Sequence, residues 1–330
     1  MMKVLVIVAL SLAGAIPVGG LFFGVNKANQ EAVFIPDNFI AENVVILVID
    51  GPRYTETFGE STMRYIPNFR DSLLPQATFF DHFYNKGSTF TNAGHASITT
   101  GRYQRVENSG LEAPKYPSIF QYYMRDKKRN YNDAWIITSK GKLDILANSR
   151  TKGWEDNNLA RTWCGPSGEG YGYGNDPYTV KVVDSVITNF HPRLLLVNLL
   201  EPDVQGHAGN WEKYLKGIQS TDKQALQLWN KIQSDPIYRN KTAMFITNDH
   251  GRHCDGHKDG FKSHGGGCEC CQHISLTALG PDFEKGKVVT KSYELIDIAT
   301  TTATILGLNM PTSKGRFISD LFYEMPQPTK

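Results

Sequence analysis

Thr242-Ala243-Met244-Phe245-Ile246 runs directly into Thr247-Asn248-Asp249-His250-Gly251. The first five residues form the short apolar run expected of a buried strand. A carboxylate and an imidazole side by side where that strand stops are poor packing groups and good ligands for a divalent cation. Two other apolar runs end in the same way. Ile46-Leu47-Val48-Ile49 leads into Asp50-Gly51, and Leu199-Leu200-Glu201-Pro202 leads into Asp203, with His207 four residues on. One such carboxylate reads as a loop cap. Three at strand ends, two with a histidine close by, read as a site.

Working outward, buried strands are expected at 44–49, 79–87, 134–137, 194–200, 242–246 and 274–279. Helical spacing is expected over 63–74 (broken near Pro67), 118–125, 178–190, 211–232 and 296–306, with Gly307 placed to end the last. Residues 151–177 are rich in Gly, Asn and aromatics, show no period and read as a long loop. The alternation predicts an α/β fold, a mostly parallel central sheet flanked by helices on both faces. Sites in such sheets lie beyond the carboxyl ends of the strands, where Asp50, Asp203 and Asp249 all fall.

The chain is 330 residues long, enough for a substantial core, and its formal charge of +2 gives no pull toward a nucleic-acid duplex. Met1-Met2-Lys3 precedes an uncharged apolar stretch from Val4 to Val25. Residues 1–25 read either as a cleaved secretory signal, with Ala13-Gly14-Ala15 as the small-residue site, or as an N-terminal membrane anchor of roughly 20 residues. Residues 26–42 read as a linker and 43–330 as the catalytic domain. Both readings place that domain outside the cytoplasm, periplasmic or extracellular. Disulfides are then the default for Cys164, Cys254, Cys268, Cys270 and Cys271. A structural zinc site of Cys254, His257, Cys268 and Cys271 is the alternative.

Thr91-Asn92-Ala93-Gly94-His95 suits a tight turn into a helix, whose first N–H groups favour a phosphate. Thr91 is then either a nucleophile presented at an anion site or a simple helix cap. Asp50, Asp203, His207, Asp249, His250 and His264 are the candidate ligands. That mixed Asp/His set suits zinc, or alternatively manganese, and six ligands suit two ions rather than one. Two ions about 4 Å apart can clamp both oxygens of a phosphoryl displacement and lower the pKa of a bound hydroxyl such as that of Thr91. His253, His257 and His273 compete with His264, which the following glycines favour.

Together these pieces resemble the alkaline phosphatase superfamily, most closely its nucleotide pyrophosphatase/phosphodiesterase branch. The matching motifs are Asp50-Gly51, Thr91 to His95 with Thr100-Gly101, Glu201-Pro202-Asp203-Val204-Gln205-Gly206-His207, Asn248 to Gly251 and His264-Gly265-Gly266. The tail from Ile296 through Gly315-Arg316 matches too. The resemblance implies an alkaline-phosphatase-like sheet with Asp50, Asp249, His250 and Thr91 on one metal and Asp203, His207 and His264 on the other. It implies a covalent phospho-threonine at Thr91, with Asn108 as an oxyanion donor by positional analogy. The implied substrate is a small-molecule or glycan- or lipid-linked phosphoester, a diester by the branch it resembles. Departures exist: Thr91-Asn92 is nearer to phosphonoacetate hydrolases and Gly94-His95 to cofactor-independent phosphoglycerate mutases. Phosphomonoesterase, phosphonate hydrolase and phosphotransferase activities are therefore the alternatives within the superfamily. A catalytically silent binder of phosphorylated or anionic glycan partners is the alternative outside it. No Cys/Ser-x-Pro-x-Arg motif occurs at residues 88–101, which disfavours a sulfatase.

Overall fold

The computed structural model describes residues 38–125 and 129–323. The expected signal or anchor over 1–25, and most of the linker over 26–42, lie outside the described residues. Among the described residues no helix is long and apolar enough to cross a membrane.

In chain order the strands and helices are Asn43–Ile49 (β1), Thr78–Tyr84 (β2), Thr91–Thr100 (α1), Ile119–Met124 (α2), Ala134–Thr138 (β3), Arg161–Cys164 (β4), Asp176–Phe190 (α3) and Leu194–Leu199 (β5). Glu201–His207 (α4), Trp211–Ser234 (α5), Thr242–Thr247 (β6), Glu269–Gln272 (α6), His273–Leu279 (β7), Lys287–Val289 (β8), Tyr293–Glu294 (β9) and Asp297–Ile305 (α7) follow. One sheet joins the strands in the order β4-β3-β5-β1-β6-β7-β2-β8, with β9 also on β2. Only β7 runs antiparallel to its neighbours, β6 and β2. The expected mostly parallel α/β sheet is thus what forms.

β1 is apolar on both faces because both faces are covered. Val44, Ile46 and Val48 join one core with Ile98 of α1, Phe120 of α2 and Ile298 of α7. Val45, Leu47 and Ile49 join the other with Val183 of α3 and Tyr214 and Ile218 of α5. Val48 is in register with both Asn198 of β5 and Thr247 of β6. The residues that follow these three strands therefore emerge together at the carboxyl end of the parallel sheet.

Two expectations change. The helix over 63–74 shrinks to a π-helical turn at Phe69–Leu73, bracketed by Pro67 and Pro75, which cannot donate a helical N–H. The loop over 151–177 contains β4, a four-residue edge strand pairing parallel with β3. Only Cys164 of β4 is buried, so the strand has no apolar period to read.

Candidate metal centre

The first half of the centre lies where β1 and β6 end side by side. Asp50, Asp249 and His250 are buried there, with one ligand atom from each lying within 4.8 Å of the others. His250 Nε2 is 3.5 Å from Asp50 Oδ1 and 3.3 Å from Asp249 Oδ2. Among the described residues, those two buried oxygens have no hydrogen-bond partner. An orphaned buried acceptor is costly, and a divalent cation satisfies several at once. His250 Nδ1 donates to Gly251 O at 2.8 Å, leaving Nε2 free to act as a ligand. Burial, and then the neighbouring His264, hold His250 well below the usual imidazole range, so it stays neutral. Burial, and then Asp50, push Asp249 up to about 6. These residues fit a divalent ion.

The second half gathers Asp203 and His207 from α4 with His264 from the loop before α6. His207 Nε2 and His264 Nε2 lie 3.3 Å and 3.4 Å from Asp203 Oδ1, and 3.0 Å from each other. His264 Nδ1 donates to Thr89 O at 2.8 Å, and burial lowers His264 to about 4. The His250 and His264 rings stack with centroids 3.8 Å apart, so the two halves adjoin.

Two cations that sequence reasoning missed sit between and behind these halves. Lys140, two residues past β3, is wholly buried; its Nζ lies 2.9 Å from Asp50 Oδ2 and 2.5 Å from Asp203 Oδ2. Arg252, also buried, donates through Nη1 to Asp203 Oδ1 and through Nη2 to Lys262 O at 2.9 Å. Burial alone would raise Asp203, but Lys140, His207 and Arg252 outweigh it and hold the carboxylate well below its usual range. Asn198 was missed too. Its Nδ2 donates to Asp50 Oδ2 at 3.2 Å and to His95 Nε2 at 3.1 Å. A polar residue inside the apolar run of β5 was the available signal. Lys140 and Arg252 offered no such signal, since most cations past a strand's end are solvated.

Thr91 is the first residue of α1. Phe90 occupies the N-cap, so the Thr91 hydroxyl does not serve as the cap. Its Oγ1 lies 3.5 Å from His250 Nε2 and 3.3 Å from Lys140 Nζ. α1 can come this near because of Gly94, where an added Cβ would stand 2.7 Å from Asp249 O. His95 fixes the same junction, donating from Nδ1 to Thr91 O at 2.9 Å. Asn108 stands beside the helix start, its Oδ1 accepting from Asn92 N at 3.1 Å. The competing histidines go elsewhere: His273 meets Asp81 O at 2.8 Å, and His253 faces two cysteines.

Residues 162–310 match the family model described as the Metalloenzyme superfamily. The 2,3-bisphosphoglycerate-independent phosphoglycerate mutase of Caenorhabditis elegans is 25% identical over 134 residues, 40% of this chain and 23% of the mutase. The chain thus spans about a quarter of the length of the curated relatives it matches. A Vibrio parahaemolyticus protein in the alkaline phosphatase superfamily superposes with TM-score 0.61 at 13% identity, covering 88% of this chain and 71% of that one. Murine ectonucleotide pyrophosphatase/phosphodiesterase 5 superposes with TM-score 0.59 at 14% identity, covering 85% of this chain and 100% of that one. The fold is that of the alkaline phosphatase superfamily. The resemblance read from the motifs is borne out, with a metalloenzyme family match over the segment carrying Asp203, His207, Asp249, His250 and His264.

Proposed function

We propose that this chain is a divalent-metal phosphohydrolase acting on phosphodiesters through Thr91. The observation that carries this reading is the uncapped Thr91 hydroxyl, held at a buried helix start beside His250 and Lys140. Charge supports it. With His250 and His264 neutral, Asp50, Asp203 and Asp249 outnumber Lys140 and Arg252 by one, so an anionic ester at this centre calls for added positive charge.

Asp50, Asp249, His250 and Thr91 would hold one ion and Asp203, His207 and His264 the other, zinc or alternatively manganese. Bound there, a divalent ion supplies Lewis-acid charge to the nucleophile and the phosphoryl oxygens. Thr91 Oγ1 passes its proton to solvent water and attacks phosphorus; the leaving alkoxide departs with the P–O electron pair and takes a proton back from that water. Water then cleaves the phospho-threonine and restores the hydroxyl. Lys140 Nζ stabilises charge on Oγ1, and Asn108 assists at the phosphoryl oxygens. The Cys254–Cys270 disulfide supports export, and with it a small-molecule or glycan- or lipid-linked substrate outside the cytoplasm.

The match to phosphoglycerate mutases favours a second reading, phosphomonoester hydrolysis or phosphoryl transfer. Hydrolysis of bis-p-nitrophenyl phosphate against p-nitrophenyl phosphate by the metal-loaded protein separates the two. We expect diester turnover, loss of at least about 10³-fold in Thr91→Ala with metal retained, and a trapped phospho-threonine by mass spectrometry. Monoester preference selects the second reading. Unchanged turnover in Thr91→Ala removes the nucleophile, and no turnover on either ester leaves the silent binder.

A further inference from the structure

The segment from Gly251 through α6 brings His264 to the candidate metal centre and carries four of the five cysteines. Cys254 and Cys270 are joined, so the zinc set of Cys254, His257, Cys268 and Cys271 expected as an alternative cannot form. Cys268 and Cys271 are free, and both face one imidazole nitrogen. His253 Nδ1 is 3.3 Å from Cys268 Sγ and 3.2 Å from Cys271 Sγ. Ligand atoms of all three lie within 4.8 Å of one another. His253 and Cys271 are buried, while Cys268 is partly exposed and keeps one side open.

We propose that Cys268, Cys271 and His253 bind one thiophilic divalent cation, of the zinc class, at a structural site separate from the Asp/His centre. A ring nitrogen has a single in-plane lone pair or a single N–H, so it cannot make good hydrogen bonds to two thiols at once. Ligation removes that conflict. Tetrahedral zinc with ordinary Zn–S and Zn–N lengths separates sulfur from nitrogen by roughly 3.5 Å, close to the separations seen here. Two thiolates and an imidazole are a softer set than the carboxylates and histidines nearby, so the two sites select ions differently. Binding converts two thiols to thiolates and releases two protons. Water takes the fourth position.

The site pins the loop that supplies the other centre. Gly251 N donates to Cys271 O at 2.9 Å, and His253 N to Ser263 O at 2.9 Å. Thr89 donates its hydroxyl to Gly266 O at 2.8 Å while its carbonyl accepts from His264. An ion on His253, Cys268 and Cys271 therefore holds both ends of the segment bearing His264. This inference is independent of the role assigned to Thr91.

Cobalt(II) added to the metal-free full-length protein tests it. Thiolate ligation gives intense near-ultraviolet charge-transfer absorption, which the thiolate-free Asp/His centre cannot produce. We expect the saturated band to account for one of the bound equivalents. In Cys268→Ser/Cys271→Ser the band disappears and bound metal falls by one equivalent, with the metal of the Asp/His centre retained. Cobalt bound to the wild-type protein without the band overturns the proposal, as does a Cys268–Cys271 disulfide found by non-reducing peptide mapping. The wild-type spectrum decides even where the double variant fails to fold.

Discussion

An ammonium taken out of water loses several kcal/mol of hydration unless anions replace it. Burial works against the charge of Lys140, but Asp203, Asp50 and Asp249 overcome it and raise the lysine above its usual range. Lys140 in turn keeps Asp50 and Asp203 from facing each other unscreened. Lys140→Met should destabilise the metal-free protein by about 3–5 kcal/mol in urea unfolding, the cost of breaking a buried pair. Saturating divalent metal should recover much of that loss, because another cation then neutralises the same carboxylates. Equal losses with and without metal would show that the lysine is holding packing rather than charge. Asp50, Asp203 and Asp249 were legible because a carboxylate interrupting an apolar run is conspicuous. Lys140 and Arg252 were not, since most lysines and arginines past a strand are solvated and carry no signal of burial.

At the scale of elements, α1 is a ten-residue helix buried along its whole length, pressed against the end of β6. Gly94→Ala sets a methyl 2.7 Å from the Asp249 carbonyl and 2.9 Å from its Cβ. Neither atom belongs to a flexible side-chain end, so the helix must move. We expect about 1–3 kcal/mol lost in stability and turnover down at least tenfold, with metal content unchanged by elemental analysis. Wild-type turnover in this variant would mean that Thr91 tolerates displacement. The apolar strands and amphipathic helices around this junction were readable by period. β4 was not, because a four-residue edge strand with one buried side chain has no alternation to display. Its pairing comes from β3, not from its own sequence. From its sequence the loop beyond β6 reads as a disulfide or a zinc site. The structure divides its cysteines, two joined and two free, and only the fold brings His253 to the free pair.

For the molecule as a whole, two cores on either side of one sheet carry the stability, and the candidate metal centre sits beyond the carboxyl ends of its central strands. Ions that bind only the folded chain stabilise it by mass action, by about 2.7 kcal/mol at a hundredfold excess over Kd. Chelation should therefore lower the melting temperature by several degrees at neutral pH. The sign of the pH effect follows from Asp249, whose carboxyl is raised to about 6. Above that pH it is ionised and available to the proposed ion; below it a proton competes. The chelation shift should shrink as pH falls through 6 and vanish toward pH 4, followed by differential scanning fluorimetry. A shift that grows on acidification would exclude Asp249 as a ligand. The sheet order has a further consequence, for the timing of biosynthesis. β1 lies between β5 and β6, strands made much later. At about 5–20 residues per second, roughly 10–40 s of translation separate Asp50 from His264. Until then Asp50 stands without His250 and His264, so the ions proposed for this centre would be captured by a finished sheet rather than by a growing one.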